Sequence, residues 1–276
     1  MTAQQGLGAT LQGDQGRGAD LYMKFSDVGL RYSGQGPEIL GGIDLDVRRG
    51  EVVCLLGASG CGKSTLLNIA AGFLVPSKGK VTVGGAPIAG PGADRVMVFQ
   101  EEAIFPWYTV RQNVEYGLRV RGESASERRA KAARAIELVG LTAYADAYPR
   151  QLSGGMRKRC DMARAIVVEP EALLMDEPFA ALDVMTKERL QIQFREICRG
   201  RDVTSLFVTH DLEEALFVGS KVAVLRKGPG PFLALVDVPF GPDRDPAIKT
   251  SPEFQALRRE LSSYIEDDPA NTKEAA

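Results

Sequence analysis

The sequence predicts an α/β fold built on a parallel sheet, with an antiparallel β piece near the N-terminus and an inserted helical subdomain. Three observations predict it. Compact apolar runs at residues 51–56, 173–175 and 205–209 lead into Gly57, Asp176 and His210, and each reads as a buried strand. Helical patterns separate the strands, the alternation that produces a parallel sheet. Residues 110–168 break that alternation with a mostly helical stretch, charged and Ala-rich around 126–138.

Taken in order, residues 1–21 are rich in Gly and Gln and read as a disordered tail, with order expected from about Leu21. Residues 28–32 and 43–47 alternate apolar with polar or small side chains, which assigns them to the antiparallel piece. The run at 51–56 is the first parallel strand, and 63–71 is the helix after it. Short strands follow at 81–83 and 96–99. Beyond the helical block come the strands at 173–175, 205–209 and 221–225. The expected division is a tail at 1–21, a main domain at 22–245 with its helical subdomain at about 103–168, and a C-terminal helix with a polar tail at 246–276.

Composition narrows the function classes. Of 276 residues, 44% are hydrophobic, enough for a full core. The formal net charge of −2 gives no general basic field for nucleic acid or an anionic membrane, although a local patch stays open. Cys54, Cys61, Cys160 and Cys198 form no CxxC pair, so neither a zinc knuckle nor a redox pair is suggested, and free thiols fit a reducing cytosol. Residues 1–20 lack the apolar stretch of a signal peptide, and no run approaches the roughly 18 apolar residues of a membrane span. The chain is expected to be soluble by itself, with any membrane role coming through a partner.

The most informative stretch is Gly57, Ala58, Ser59, Gly60, Cys61, Gly62, Lys63, Ser64, which matches GxxxxGK followed by Ser or Thr, between a strand and a helix. Glycines at 57, 60 and 62 permit the backbone angles that turn several N–H groups inward. Those groups and the helix N-terminus form an anion nest. Lys63 supplies a point charge for β- and γ-phosphates, and Ser64 a hydroxyl for Mg²⁺; Thr65 continues the loop into the helix. ATP with Mg²⁺ is the expected ligand, on a P-loop NTPase core.

Asp176 and Glu177 end the apolar strand at 173–175, at the edge where parallel sheets bind ligands. Asp176 can hold Mg²⁺, directly or through water, and Glu177 can orient or deprotonate an attacking water. The alternative is an acidic first turn of a helix. His210, the single histidine, ends the strand at 205–209 and falls at the same edge. A lone histidine is often structural; here a hydrogen bond to the γ-phosphate or to water is expected.

Together these pieces resemble the nucleotide-binding subunit of ABC transporters. The decisive stretch is residues 152–159, Leu-Ser-Gly-Gly-Met-Arg-Lys-Arg, similar to the family's LSGGQ signature. Ser153 can cap a helix beginning near Gly154, and Gly154 and Gly155 let backbone approach a phosphate. The resemblance implies a head-to-tail homodimer in which each signature closes over the partner's phosphate loop. It also implies an adenine-stacking aromatic at Tyr32, a glutamine loop contacting Mg²⁺ at Gln100, a loop linking the two sites at residues 181–183, and a switch histidine at His210. Alone, Tyr32 reads as strand packing and Gln100 as an ordinary loop residue. The resemblance spans about residues 22–240.

Within the family the chain resembles the importer branch for nitrate, sulfonate and taurine. Residues 90–100, 105–110, 176–179 and 246–265 carry that likeness; Ala71, Gly72 and Phe73, with Gly228, Pro229 and Gly230, favour taurine. The implied partners are two transmembrane permease subunits and, indirectly, a periplasmic solute-binding protein. The implied place is the cytoplasmic face of the inner membrane, with no nucleic acid partner. The segment after Gln100, with Phe105 and Trp107, is the expected contact surface; core packing is the alternative for Trp107.

The chain departs from the pattern at Met156 and Lys158, where Gln is usual, and at Pro231, where Arg is frequent. Lys158 puts a positive charge near a helix start, where the dipole disfavours it, so slower or shifted turnover is expected. Cys61, near a helix N-terminus and Lys63, is expected to favour its thiolate and to react with alkylating agents, or else to be inert. Two other classes would look different. A soluble ATPase of the same family acting on DNA or ribosomes would bring long coiled coils or tandem cassettes, and a P-loop kinase or GTPase would lack the second anion motif at 152–156.

Overall fold

The computed structural model describes residues 21–32, 36–180, 182–241 and 243–268. The tail expected before Leu21 lies outside the described residues, as do Ala181 and residues 269–276.

Two sheets sandwich one helix. The larger sheet has six strands: β3 (Val52–Leu56), β6 (Arg95–Val98), β7 (Ala172–Asp176), β8 (Thr204–Val208), β9 (Lys221–Val224) and β10 (Ala234–Asp237). Their order is β10-β9-β3-β8-β7-β6; all pair in parallel except β10, which adds antiparallel to β9. Every residue of β3, β7 and β8 is buried, as expected of apolar runs covered on both faces. The smaller sheet joins β1 (Leu21–Arg31), β2 (Glu38–Arg48), β4 (Lys78–Val83) and the two-residue β5 (Ala86–Pro87), all antiparallel.

Strand alternation divides the core. Val53 and Leu55 of β3 point toward Leu66, Leu67 and Ala70 of α1 (Lys63–Ala71), which lies between the two sheets. Cys54 and Leu56 point the other way, into a second core. That core packs α2 (Val110–Val120), α3 (Ala125–Leu138), α4 (Gly154–Val167), α5 (Val184–Gly200), α6 (Leu212–Val218) and α7 (Pro252–Glu266). The three helices predicted as one block, α2 to α4, pack on one another. The first two begin with capping boxes, Thr109 with Gln112 and Ser124 with Glu127, which satisfy otherwise unpaired backbone N–H groups. The C-terminal helix α7 is anchored by Phe254, stacked on Phe240 at 5.5 Å, and by Leu261.

β1 and β2 run longer than the alternation at 28–32 and 43–47 shows. Asp27 sits at φ 48°, and the β1–β2 register shifts between Phe25 and Val28. A bulge of this kind resets which side chains face inward and so interrupts the period-2 signal. The topology brings the carboxyl ends of β3, β6, β7 and β8 to one edge, where Asp176 ends β7 and Gly57, Gln100 and His210 follow their strands.

Candidate functional site

The loop after β3 is shaped by its glycines. Gly57 has φ 151°, and a Cβ there would lie 2.7 Å from the Leu225 carbonyl oxygen and 2.8 Å from Cys61 Sγ. Gly62, at φ 101°, caps α1 without a side-chain bond, and this leaves the first N–H groups of the helix unpaired within it. Lys63 is buried and folded back: its Nζ donates to the carbonyls of Gly57 (2.9 Å) and Ala58 (2.8 Å).

The sequence-predicted residues converge on a cleft of about 460 Å³. Ser59, Gly60, Gly62, Lys63, Ser64 and Thr65 form one wall, and Gln100, Glu177 and His210 the other. Asp176, buried at the end of β7, has the Ser64 hydroxyl close enough to act on its carboxyl. Burial pushes its carboxyl up, the Ser64 hydroxyl opposes that, and the nearby Glu177 charge adds to the rise. Glu177 adopts the left-handed φ of 46°, rare for a residue with a side chain and a strain of about 1 kcal/mol or more that sites of action store. Its N–H donates to the Val208 carbonyl (3.1 Å) and ties the end of β7 to β8. Its Oε1 lies 3.1 Å from Nδ1 of the exposed His210. Under this turn Phe179, Phe194 and Phe207 pack ring against ring, with centroids 5.5–6.4 Å apart. Burying each ring contributes about 1.5–3 kcal/mol to holding the acidic turn in place.

Tyr32 stands at the rim. Its hydroxyl is 3.4 Å from Thr65 Oγ1, and the residue is 56% exposed, not packed in the strand. Ser153 does cap α4, accepting from the Met156 N–H, and the helix begins at Gly154. Ser153, Gly154 and Gly155 do not line the cleft of their own chain. Asp183 caps α5 through the Thr186 N–H (3.0 Å), and Val184 and Met185 follow it 79% and 76% exposed. That exposed apolar pair was missed in the sequence, where it reads as ordinary helix-face residues. Trp107 is 65% exposed, so core packing does not account for it. It lies 5.6 Å from the Phe105 ring, on a loop pinned by the Asn113 amide to the Phe105 and Tyr108 carbonyls.

One expectation is corrected and another gains a partner. Cys61 is 1% exposed, and burial pushes its thiol up despite Lys63, so the thiolate is not favoured. The sequence shows its neighbours but not the Gly57 backbone packed over its sulfur. Lys158 does lie near the start of α4, as expected, but it is not left to the helix dipole alone. It is 2% exposed, burial pushes its ammonium down, and its Nζ leaves α4 to donate to the Phe99 and Gln100 carbonyls.

A phosphate loop facing two acids and a histidine at the carboxyl edge of a parallel sheet defines an α/β protein built to handle nucleotide phosphates. Comparison with known proteins sharpens this. The model of the ABC transporter family matches residues 40–180. The taurine import ATP-binding protein TauB of Chromobacterium violaceum is 45% identical over 243 residues, 86% of this chain and 93% of that protein. The nitrate import ATP-binding protein NrtD of Synechocystis sp. is 40% identical over 263 residues, 92% of this chain and 99% of that one. Among solved structures, the dimeric ATP-binding cassette MJ0796 bound to ADP and Pi superposes with a TM-score of 0.71 at 28% identity, over 79% of this chain and all of that one. The chain belongs to the ABC transporter family. No helix of the described residues is long and apolar enough to cross a membrane.

Proposed function

We propose that this chain is the ATP-binding and ATP-hydrolysing subunit of an ABC importer, and that two copies close over two ATP molecules to drive uptake of a small anion. The cleft carries the reading: it sets the phosphate loop opposite Glu177 and His210. The unpaired N–H groups at the start of α1 would cradle phosphate oxygens. Lys63, with a third N–H beyond its two loop carbonyls, would reach the β- and γ-phosphates, and Tyr32 would stack on adenine. Ser64, Asp176 and the Gln100 amide offer the hard oxygen donors that suit Mg²⁺, which takes one or two carboxylates with phosphates and waters. When bound, Mg²⁺ would neutralise charge on the β- and γ-phosphates.

Glu177 is the base: its carboxylate orients the attacking water and accepts its proton. The contact between His210 Nδ1 and Glu177 Oε1 would hold that carboxylate in place, and the ring lines the cleft where a γ-phosphate would lie. Ser153, Gly154 and Gly155 complete the site from the second copy. Their position away from their own cleft, and the dimeric state of the solved cassette, support that arrangement.

The remaining parts follow the same reading. Residues 22–245 form the nucleotide-binding domain, with the helical part at about 103–168, and 246–276 are appended. The exposed aromatic loop with Trp107 would dock on a transmembrane permease subunit, so that two copies meet two permeases at the cytoplasmic face of the inner membrane. A periplasmic binding protein delivers solute, and the taurine and nitrate relatives favour a small anion. Affinity purification from detergent-solubilised membranes, with an ATPase assay on the eluate, tests it. Permease subunits and Mg²⁺-dependent hydrolysis are expected. Ribosomes or DNA in place of permeases, or no hydrolysis, would overturn it.

A further inference from the structure

Lys158 lies just past the first turn of α4, the helix that Ser153 caps. A buried cation usually has a carboxylate partner. Among the described residues Lys158 has no ion pair; Asp161, Asp176, Glu102 and Glu177 act on it only at longer range. Its Nζ instead donates to two successive carbonyls, those of Phe99 and Gln100, the latter at 3.0 Å. These carbonyls mark where the chain leaves β6 and turns toward the cleft that the Gln100 side chain borders. Hydrogen bonds from a charged donor are among the stronger ones, and with Arg164 on the Ala103 carbonyl and Arg157 beside Glu102 they tie this loop to α4, Lys158 taking the end nearest the cleft.

We propose that Lys158 is a positioning residue for Gln100. By clamping the backbone at 99–100 it presents the Gln100 amide to the nucleotide, and it ties that loop to the helix whose N-terminus carries the signature. A glutamine at 158 would be one bond shorter and uncharged, and could hold this contact only weakly. The inference rests on the nucleotide-site reading of Gln100.

The chain supplies its own reporter. Trp107 is the single tryptophan, and it lies seven residues beyond Gln100 on an exposed loop. The test compares full-length wild type, Lys158→Met and Lys158→Gln. The non-hydrolysable analogue AMP-PNP is bound in EDTA and in graded Mg²⁺, followed by calorimetry and Trp107 emission, with thermal unfolding alongside. Lys158→Met should bind the analogue in EDTA within about twofold of wild type, yet need about tenfold more Mg²⁺ for half of the emission change, the shift expected from losing a charged hydrogen bond. Lys158→Gln, which keeps a donor, should fall between. Equal Mg²⁺ midpoints and equal emission amplitudes in Lys158→Met would overturn the role. Should Lys158→Met fail to fold, Lys158→Gln decides alone: a midpoint shift of about threefold supports the clamp, and none overturns it. If wild type binds no nucleotide, the site reading itself falls; if wild type binds and the variants match it, only the role of Lys158 falls.

Discussion

Replacing Arg244 by methionine should loosen the C-terminal segment and destabilise the whole chain. The Arg244 guanidinium is buried and donates to five carbonyls. Nη1 reaches Leu216 (2.8 Å), Phe217 (3.0 Å) and Gly219 (2.6 Å) at the end of α6, while Nε and Nη2 reach Phe240 and Gly241. It thereby caps the helix that begins directly after His210 and Asp211. Methionine matches the stem but donates nothing. The three α6 carbonyls would be left unpaired in a buried place, at about 1–3 kcal/mol each. Against this stands relief from burying a charge: burial pulls the guanidinium from 12.5 down to about 10, which corresponds to roughly 3 kcal/mol. The net is a loss of about 3 kcal/mol, or a fall in Tm of about 6–12 °C for a chain of this size. Lysine at 244 keeps a charge with three donors and should recover about half of the loss. Calorimetry and urea titration of both variants measure it. A Tm within about 2 °C of wild type for Arg244→Met would refute the capping argument.

Other outcomes follow from the site. Cys61, buried and with its thiol pushed up, should react with iodoacetamide at pH 8 about a hundredfold more slowly in the native chain than in urea; mass spectrometry quantifies it, and rapid native labelling would contradict the burial. Glu177→Gly should relieve the left-handed strain and gain about 1 kcal/mol in urea unfolding while abolishing ATP turnover; a loss of stability would show that φ 46° is not strained. Tyr32→Ala should weaken ATP binding by about tenfold, worth 1.4 kcal/mol of stacking, and leave inorganic triphosphate binding unchanged. Equal losses for both ligands would remove Tyr32 from the adenine position.

Much of the frame was legible because it depends on local pattern. The helix predicted at 63–71 is α1 to the residue, since Gly62 and Gly72 punctuate it at both ends. The strands ending at Gly57, Asp176 and His210 were legible from apolar runs, and their parallel order carried the three features to one edge. The unread parts depend on contacts between distant segments. Lys158 and Gln100 are 58 residues apart, and only the folded chain shows that the ammonium leaves its helix for that loop. Burial of Cys61 comes from Gly57 and Leu225 closing on the same corner, which no local dipole argument captures. The bulge at Asp27 hid half of β1, and β10 is a half-exposed edge strand with weak alternation. Lys63 reads as a phosphate ligand in sequence, yet here two of its three N–H donors bond its own loop, so reaching a phosphate would take the third donor or a turn away from these carbonyls.

The central claim is that each cleft is half a site and that ATP binding and dimer closure are one event. Sedimentation of Glu177→Gln with Mg²⁺ and ATP tests it most directly, beside the same variant carrying Ser153→Phe. Glu177→Gln should sediment as a dimer with ATP and as a monomer without it. Adding Ser153→Phe, at a helix cap remote from its own cleft, should abolish the dimer while each monomer still binds ATP. A dimer that persists with Phe at 153, or a Glu177→Gln chain that stays monomeric at saturating ATP, would contradict the account.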